Sequence, residues 1–223
     1  FATEGDFDNE ELIKDELHKW FPEDLIIAEE TLSETQLTNS RRFWIIDPIC
    51  GSSNFKNGIK FFCTNIALAD KGELIASCVI DHCREEYAWS VGDSKIYINR
   101  EEIKPEKISM GTIVDVDLAA LAGQDSKKIE IHQKLIGFLL RDKRFYLSAY
   151  NTSLPFAYVG LGRIDAYANG YSKIWDVAAA NFLILQAGGV VTQLDGNPWT
   201  LSSDNVLAAR DKKLHSELLK ILN

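Results

Sequence analysis

Trp44-Ile45-Ile46-Asp47-Pro48-Ile49-Cys50-Gly51-Ser52-Ser53-Asn54-Phe55 is the stretch that sets the reading of this chain. The apolar run from Phe43 to Ile46 predicts a buried strand that delivers Asp47 to its C-terminal end. Pro48 has no N–H to continue the ladder, and Gly51-Ser52-Ser53-Asn54 turns the chain with free backbone amides. A strand-end acid beside a Gly/Ser loop sets hard oxygen ligands next to amide donors. Such a pair can hold a divalent cation beside a phosphate, as in a metal-dependent phosphatase. Taken alone, the segment also reads as a strand that ends in an ordinary Asp-Pro turn.

Upstream, Leu12, Ile13, Leu17, Trp20 and Phe21 have helical spacing over residues Asn9 to Phe21, and Pro22 ends the helix. Leu25–Ala28 reads as a short strand running into Glu29-Glu30, and Thr31–Ser40 as a polar loop. Downstream, Phe61–Ala69, Leu74–Ile80, Glu85–Val91 and Lys95–Asn99 are strand-like runs separated by short Gly-containing turns, which predicts an antiparallel meander. The second half alternates. Strands are predicted at Thr112–Leu118, Phe145–Leu147, Ile164–Ala168, Val190–Gln193 and Val206–Ala208, and helices at Lys127–Leu140, Leu154–Leu161, Trp175–Ala187 and Lys212–Leu222. The expectation is a single α/β unit over residues 1–223, with a metal-site and meander half to about residue 120 and an α/β half from about residue 121.

With 223 residues, 46% of them hydrophobic, the chain can bury a sizeable core. Its net charge of −9 argues against a nucleic-acid binder or a protein of anionic membrane surfaces. It does not argue against a phosphorylated substrate, because bound cations invert the field of an acidic pocket. No apolar run reaches membrane-span length, no signal peptide is visible, and the chain starts at Phe1, which reads as a trimmed N-terminus. Cys50, Cys63, Cys78 and Cys83 lack C-x-x-C pairing and read as reduced thiols of a cytoplasmic protein. A zinc site from Cys78, His82 and Cys83 would fall short of the four spaced ligands of a structural site.

Glu29, Asp47 and Asp176 are acids at the ends or starts of predicted elements. Singly, Glu29 reads as surface charge, Asp47 as a turn opener and Asp176 as a helix cap. In combination their surroundings resemble the inositol monophosphatase family, within the larger group that includes fructose-1,6-bisphosphatases and 3′-nucleotidases of bisphosphorylated adenosine. That family carries a Glu-Glu pair, then W-x-x-D-P-x-D-G-T-x-N-F, then G-R-x-D-A-Y, then W-D-x-A-A followed by E-A-G-G. Here these stand as Ala28-Glu29-Glu30, Trp44 to Phe55, Gly162 to Tyr167, Trp175 to Ala179 and Gln186-Ala187-Gly188-Gly189. Thr3-Glu4-Gly5-Asp6 matches the family's T-x-x-D.

The resemblance implies an α-β-α-β-α layered sandwich of the sugar-phosphatase type and hydrolysis of a small phosphate monoester, such as inositol monophosphate, with Mg2+; Mn2+ or Zn2+ are the other ions considered. It implies that Glu29, Asp47 and the Ile49 carbonyl bind a first metal and that Asp47 and Asp176 bind a second. Asp6 would support a third, weaker metal or its water. The amides of Gly51 and Ser52 would hold the phosphate, and the Ser52 hydroxyl, with Glu29, would orient the nucleophilic water. The family is often dimeric, so a homodimer is an expected partner state beside a small phosphorylated metabolite.

The departures from the family pattern are specific. Its second loop acid is Cys50 here, its Thr is Ser52, and its E-A-G-G acid is Gln186, expected to be structural. Asn169 stands where inositol monophosphatases carry a Glu that touches a sugar hydroxyl, and Tyr150-Asn151-Thr152-Ser153 replaces G-S-A-A, so Thr152 and Asn169 are placed at an altered substrate rim. The helix that precedes T-x-x-D in the family is missing from this sequence. A thiol is a soft, poor Mg2+ ligand, so Cys50 predicts a weakened second metal or a preference for softer ions such as Zn2+. The rival class is a catalytically weakened binding or regulatory protein that keeps the phosphate pocket.

Overall fold

The computed structural model describes residues 4–31, 42–106, 111–121 and 124–222. The predicted loop over Thr31–Ser40 lies outside these residues, apart from Thr31. Seven strands form the first sheet in sequence order: β1 (Leu25–Ala28), β2 (Phe43–Cys50), β3 (Cys63–Asp70), β4 (Glu73–Asp81), β5 (Glu86–Ser90), β6 (Ile96–Ile98) and β7 (Glu101–Ile103). β1 runs parallel to β2, and every later pair is antiparallel. This is the meander that the short turns predict. At the β3–β4 turn Lys71 and Gly72 both have positive φ, 52° and 84°, the backbone that a tight two-residue hairpin requires.

The second sheet holds β8 (Thr112–Asp117), β9 (Phe145–Ser148), β10 (Ala166–Asn169), β11 (Val190–Thr192) and β12 (Val206–Ala209) in the order β11-β12-β10-β8-β9. β8 is parallel to both its neighbours, whereas β12 is antiparallel to both of its own. Six helices accompany the sheets: α1 (Glu4–Trp20), α2 (Ser52–Lys56), α3 (Ser126–Arg141), α4 (Leu154–Gly160), α5 (Ile174–Gln186) and α6 (Lys212–Leu222).

The layers follow from which helix faces are apolar. α5 is apolar on nearly all sides, and a helix of that kind is stable only when enclosed. It lies with α4 between the two sheets, and Ala178, Ala179 and Ala180, all at most 1% exposed, let both sheets approach closely. α3 and α6 cover the far face of the second sheet through Leu135, Leu139, Leu214 and Leu218. α1 covers the far face of the first sheet with Ile13 and Leu17 against Ile26 and Ile46. The result is the α-β-α-β-α sandwich.

Several boundaries differ from the sequence reading by a residue or two, and two differ for physical reasons that bear on the site. α1 starts at Glu4 rather than Asn9, because Asp6 and Glu10 are buried at 0% and 1% exposure and so break the apolar periodicity. Glu10 accepts hydrogen bonds from the Glu30 amide and the Thr31 hydroxyl. β2 does not stop at Asp47. It continues through Pro48 to Cys50, across an irregularity in its register with β3 between Asp47 and Cys50.

Asp115, in the middle of β8, is fully buried, and its Oδ2 accepts from Ser148 Oγ at 2.7 Å. Burial pushes its carboxyl up to about 6. In the unfolded chain the value is about 4, so the neutral acid is favoured by folding. That contribution is complete below about pH 4 and is lost as pH rises through about 6, a swing of roughly 3 kcal/mol. Asp115→Asn is therefore expected to flatten the fall in stability between pH 4 and pH 8. Urea denaturation at the two pH values measures this, and a slope unchanged by the substitution contradicts it.

Candidate active site

The site is built where the two sheets and α5 meet. β2 places Asp47 fully inside the protein, and neither of its carboxylate oxygens has a hydrogen-bond partner. An orphaned carboxylate at this depth costs several kcal/mol unless it is protonated or meets a cation. Its carboxyl is pushed well above the usual range, first by burial and then by Cys50, Glu29 and Asp176 nearby.

Asp176 arrives from α5. Its Oδ2 accepts from the Lys173 amide at 2.7 Å, so it does cap its helix. The same carboxyl group also faces the pocket. Burial pushes it up to about 7, against that amide bond. Cys50 completes the group: one ligand atom each from Asp47, Cys50 and Asp176 all lie within 4.8 Å of one another. No other group of three such side chains comes together among the described residues, and Cys78, His82 and Cys83 do not form one. His82 Nε2 instead pairs with Thr64 Oγ1 at 2.8 Å.

Glu29 follows β1, tied by its amide to the Ile46 carbonyl at 3.2 Å. Exposed along part of its length, it turns its carboxylate toward Asp47, where burial pushes it up although Asp47 pulls the other way. Asp6, buried in α1, accepts from Ser52 Oγ at 3.2 Å, and that hydroxyl also lies 2.9 Å from the Ile49 carbonyl. Asp47 and Asp176, distant in sequence, thus come together with Cys50, with the Glu29 carboxyl directed at Asp47 and Asp6 bonded to Ser52. The raised values of Glu29, Asp47 and Asp176 and the unpartnered oxygens of Asp47 are what a divalent cation would relieve, so the donor set fits one.

The loop after β2 is held from several sides. Gly51 has φ +97° and opens α2, and a Cβ there would stand 3.0 Å from Thr152 Cβ. Gly51→Ala is expected to lower stability by about 1–3 kcal/mol through backbone strain and to slow any turnover with it. Thermal melts and rates read this together; an Ala variant with unchanged melting and rate contradicts it. Thr152 is buried, and its hydroxyl donates to the Cys50 carbonyl at 2.9 Å. Asn54 Nδ2 bridges the carbonyls of Phe61 and Tyr150, each at 2.9 Å. Asn169 sits at the end of β10, 4% exposed, with Oδ1 on the Tyr171 amide at 2.9 Å. Gln186 Oε1 accepts from the Ser94 amide at 2.8 Å.

The contacts of three residues around Cys50 escape a sequence reading. Ser153 donates to Cys50 Sγ from its amide at 3.2 Å and from its hydroxyl at 3.0 Å. Asn65 Nδ2 in turn donates to Ser153 Oγ at 2.8 Å. Cys63 lies directly across the strand pair from Cys50. The Cys63 thiol beside it, and burial, push the Cys50 thiol well up, with Ser153 opposing.

A model of the Inositol monophosphatase family matches residues 1–223. The chain belongs to that family. The Fructose-1,6-bisphosphatase/inositol-1-monophosphatase of Thermotoga maritima is 29% identical over 222 residues, which are 100% of this chain and 82% of the relative. The Histidinol-phosphatase of Streptomyces coelicolor is 30% identical over 227 residues, 100% of this chain and 84% of the relative. The Nus factor SuhB of Pasteurella multocida is 27% identical over 223 residues, 99% of this chain and 82% of the relative. Among solved structures, a Thermotoga maritima IMPase superposes with a TM-score of 0.84 at 28% identity, covering 100% of this chain and 83% of that one. As a member of the inositol monophosphatase family, the chain shares the two-sheet α/β fold of that relative. No helix among the described residues is long and apolar enough to cross a membrane.

Proposed function

We propose that this member of the inositol monophosphatase family is a Mg2+-dependent hydrolase of a small phosphate monoester, such as inositol monophosphate, acting at the Asp47 pocket. The observation that carries the reading is the fully buried Asp47, both oxygens unpartnered, with Cys50 and Asp176 ligand atoms within 4.8 Å. Bound divalent cations would supply Lewis acidity to the phosphoryl oxygens and lower the pKa of an attacking water. Glu29, Asp47 and the Ile49 carbonyl form the all-oxygen half of the donor set, and Asp47, Asp176 and Cys50 the other half. The Ser52 hydroxyl, held between Asp6 and the Ile49 carbonyl, orients the attacking water together with Glu29. The Gly51 and Ser52 amides bind the phosphate, and Thr152 fixes that loop through the Cys50 carbonyl. Asn169 meets the alcohol portion of the substrate. Because relatives are named for phosphatases of different esters, the ester is best found by a phosphate-release panel with Mg2+, Mn2+ or Zn2+. No release from any ester with any of these ions contradicts the reading.

A further inference from the structure

We propose that the half of the pocket formed by Asp47, Cys50 and Asp176 is a site for a thiophilic divalent cation such as Zn2+, with the Cys50 sulfur as a direct ligand. The inference rests on the reading of this pocket as a cation site but not on turnover.

Three observations carry it. First, the ligand atoms of Asp47, Cys50 and Asp176 lie within 4.8 Å of one another, close enough to share one ion. Second, Asp47 is 0% exposed and neither of its oxygens has a partner, so a buried polar group points into the site without a protein atom to satisfy it. Third, Cys50 Sγ is held as a hydrogen-bond acceptor. The Ser153 amide and hydroxyl reach it at 3.2 and 3.0 Å, and Asn65 Nδ2 donates to Ser153 Oγ at 2.8 Å, leaving the Ser153 proton for the sulfur. Two donors on one sulfur suit a metal-bound thiolate, and the Asn65–Ser153 pair fixes its direction as outer partners of metal ligands do.

The donor chemistry then selects the ion. Mg2+ takes oxygen ligands in strict octahedral geometry and sheds water reluctantly, whereas thiolates select softer ions. Two carboxylates and one thiolate, with a position left open, match the three-ligand plan of zinc sites that keep a place for water or substrate. On binding, a sulfur–metal bond forms, the S–H bond breaks, and the proton leaves to solvent. In the proposed function the all-oxygen set for Mg2+ is a separate one, assigned to Glu29, Asp47 and the Ile49 carbonyl.

The test is optical and needs no turnover. Cys78 and Cys83, which lie outside the group, are first replaced by Ser to remove other thiol sites. Co2+ is then titrated into the metal-stripped protein. The expected result is a saturable sulfur-to-cobalt charge-transfer absorption that is lost in Cys50→Ser and kept in Cys63→Ser. Zn2+ should abolish it, while Mg2+ at about a hundredfold excess over Co2+ should not. Should Cys50→Ser not fold, Cys50→Asp serves: the charge-transfer absorption goes while the visible cobalt bands remain. Absence of the absorption in the parent protein, its survival in Cys50→Asp, or its loss to Mg2+ overturns the proposal. The absorption without phosphate release from any ester overturns the phosphatase reading alone, and release without the absorption overturns the thiophilic site alone.

Discussion

Asp47→Asn is expected to lower Mg2+-dependent phosphate release by at least about a thousandfold, a barrier change of roughly 4 kcal/mol, while leaving the fold intact. Asp47 is the one acid placed to serve both halves of the donor set, and Asn keeps its shape while removing the charge. The stability of the metal-free protein gives a second reading. Burial and the neighbouring acids hold the Asp47 carboxyl well above its usual range, so a neutral side chain should melt no lower than wild type without metal. Added divalent cation should raise the melting temperature of wild type, as a ligand of the native state does, and should hardly move that of Asp47→Asn. A variant with wild-type turnover at saturating Mg2+ would place the chemistry elsewhere.

Cys50→Asp is expected to raise Mg2+-dependent hydrolysis by about tenfold or more, roughly 1.4 kcal/mol in the barrier. The carboxylate restores a hard anionic oxygen beside Asp47 and Asp176, where it meets a cation at short range. Ser153 can donate to that carboxylate as it now donates to the sulfur. The wild-type rate separates the enzyme from a phosphate-binding protein that has lost turnover: the first starts from a measurable rate and the second from none. Calorimetry of Mg2+ binding checks the cause. If Cys50→Asp binds Mg2+ no better and hydrolyses no faster, the thiol does not limit the site.

The sandwich was legible because its strands and helices follow simple periodicities, and because the meander turns fall at Lys71-Gly72 and Gly92-Asp93. β7 was not, since Glu101-Glu102-Ile103 has no apolar alternation and its one strand partner is β6. Asp47 and Asp176 could be named because each borders a patterned element, yet the path of β2 through Pro48 could not. Its continuation depends on partners from elsewhere: the Pro48 carbonyl accepts from Thr64 Oγ1 at 2.7 Å and from Asn9 Nδ2 at 2.6 Å. The burial of Asp6 and Glu10 was hidden for the same reason, because an acid buried by tertiary contacts looks on paper like solvated charge; Asp6 could be named only through the T-x-x-D match. Asn65 left no signal, and Ser153 stood out only within the Tyr150–Ser153 departure, with nothing to tie it to Cys50. Ser153 reaches Cys50 across 103 positions of sequence, and Asn65 reaches Ser153 across 88.

The central claim is that the Asp47 pocket hydrolyses phosphate monoesters with the help of divalent cations. The most direct measurement is inorganic phosphate released from a panel of small monoesters, inositol monophosphate among them, by protein first stripped of metal and then supplied with Mg2+, Mn2+ or Zn2+. The expected result is release that requires added cation, is reversed by chelation and is lost in Asp47→Asn. Release that persists in the chelated protein or in Asp47→Asn, or no release from any ester with any of the three ions, would contradict it.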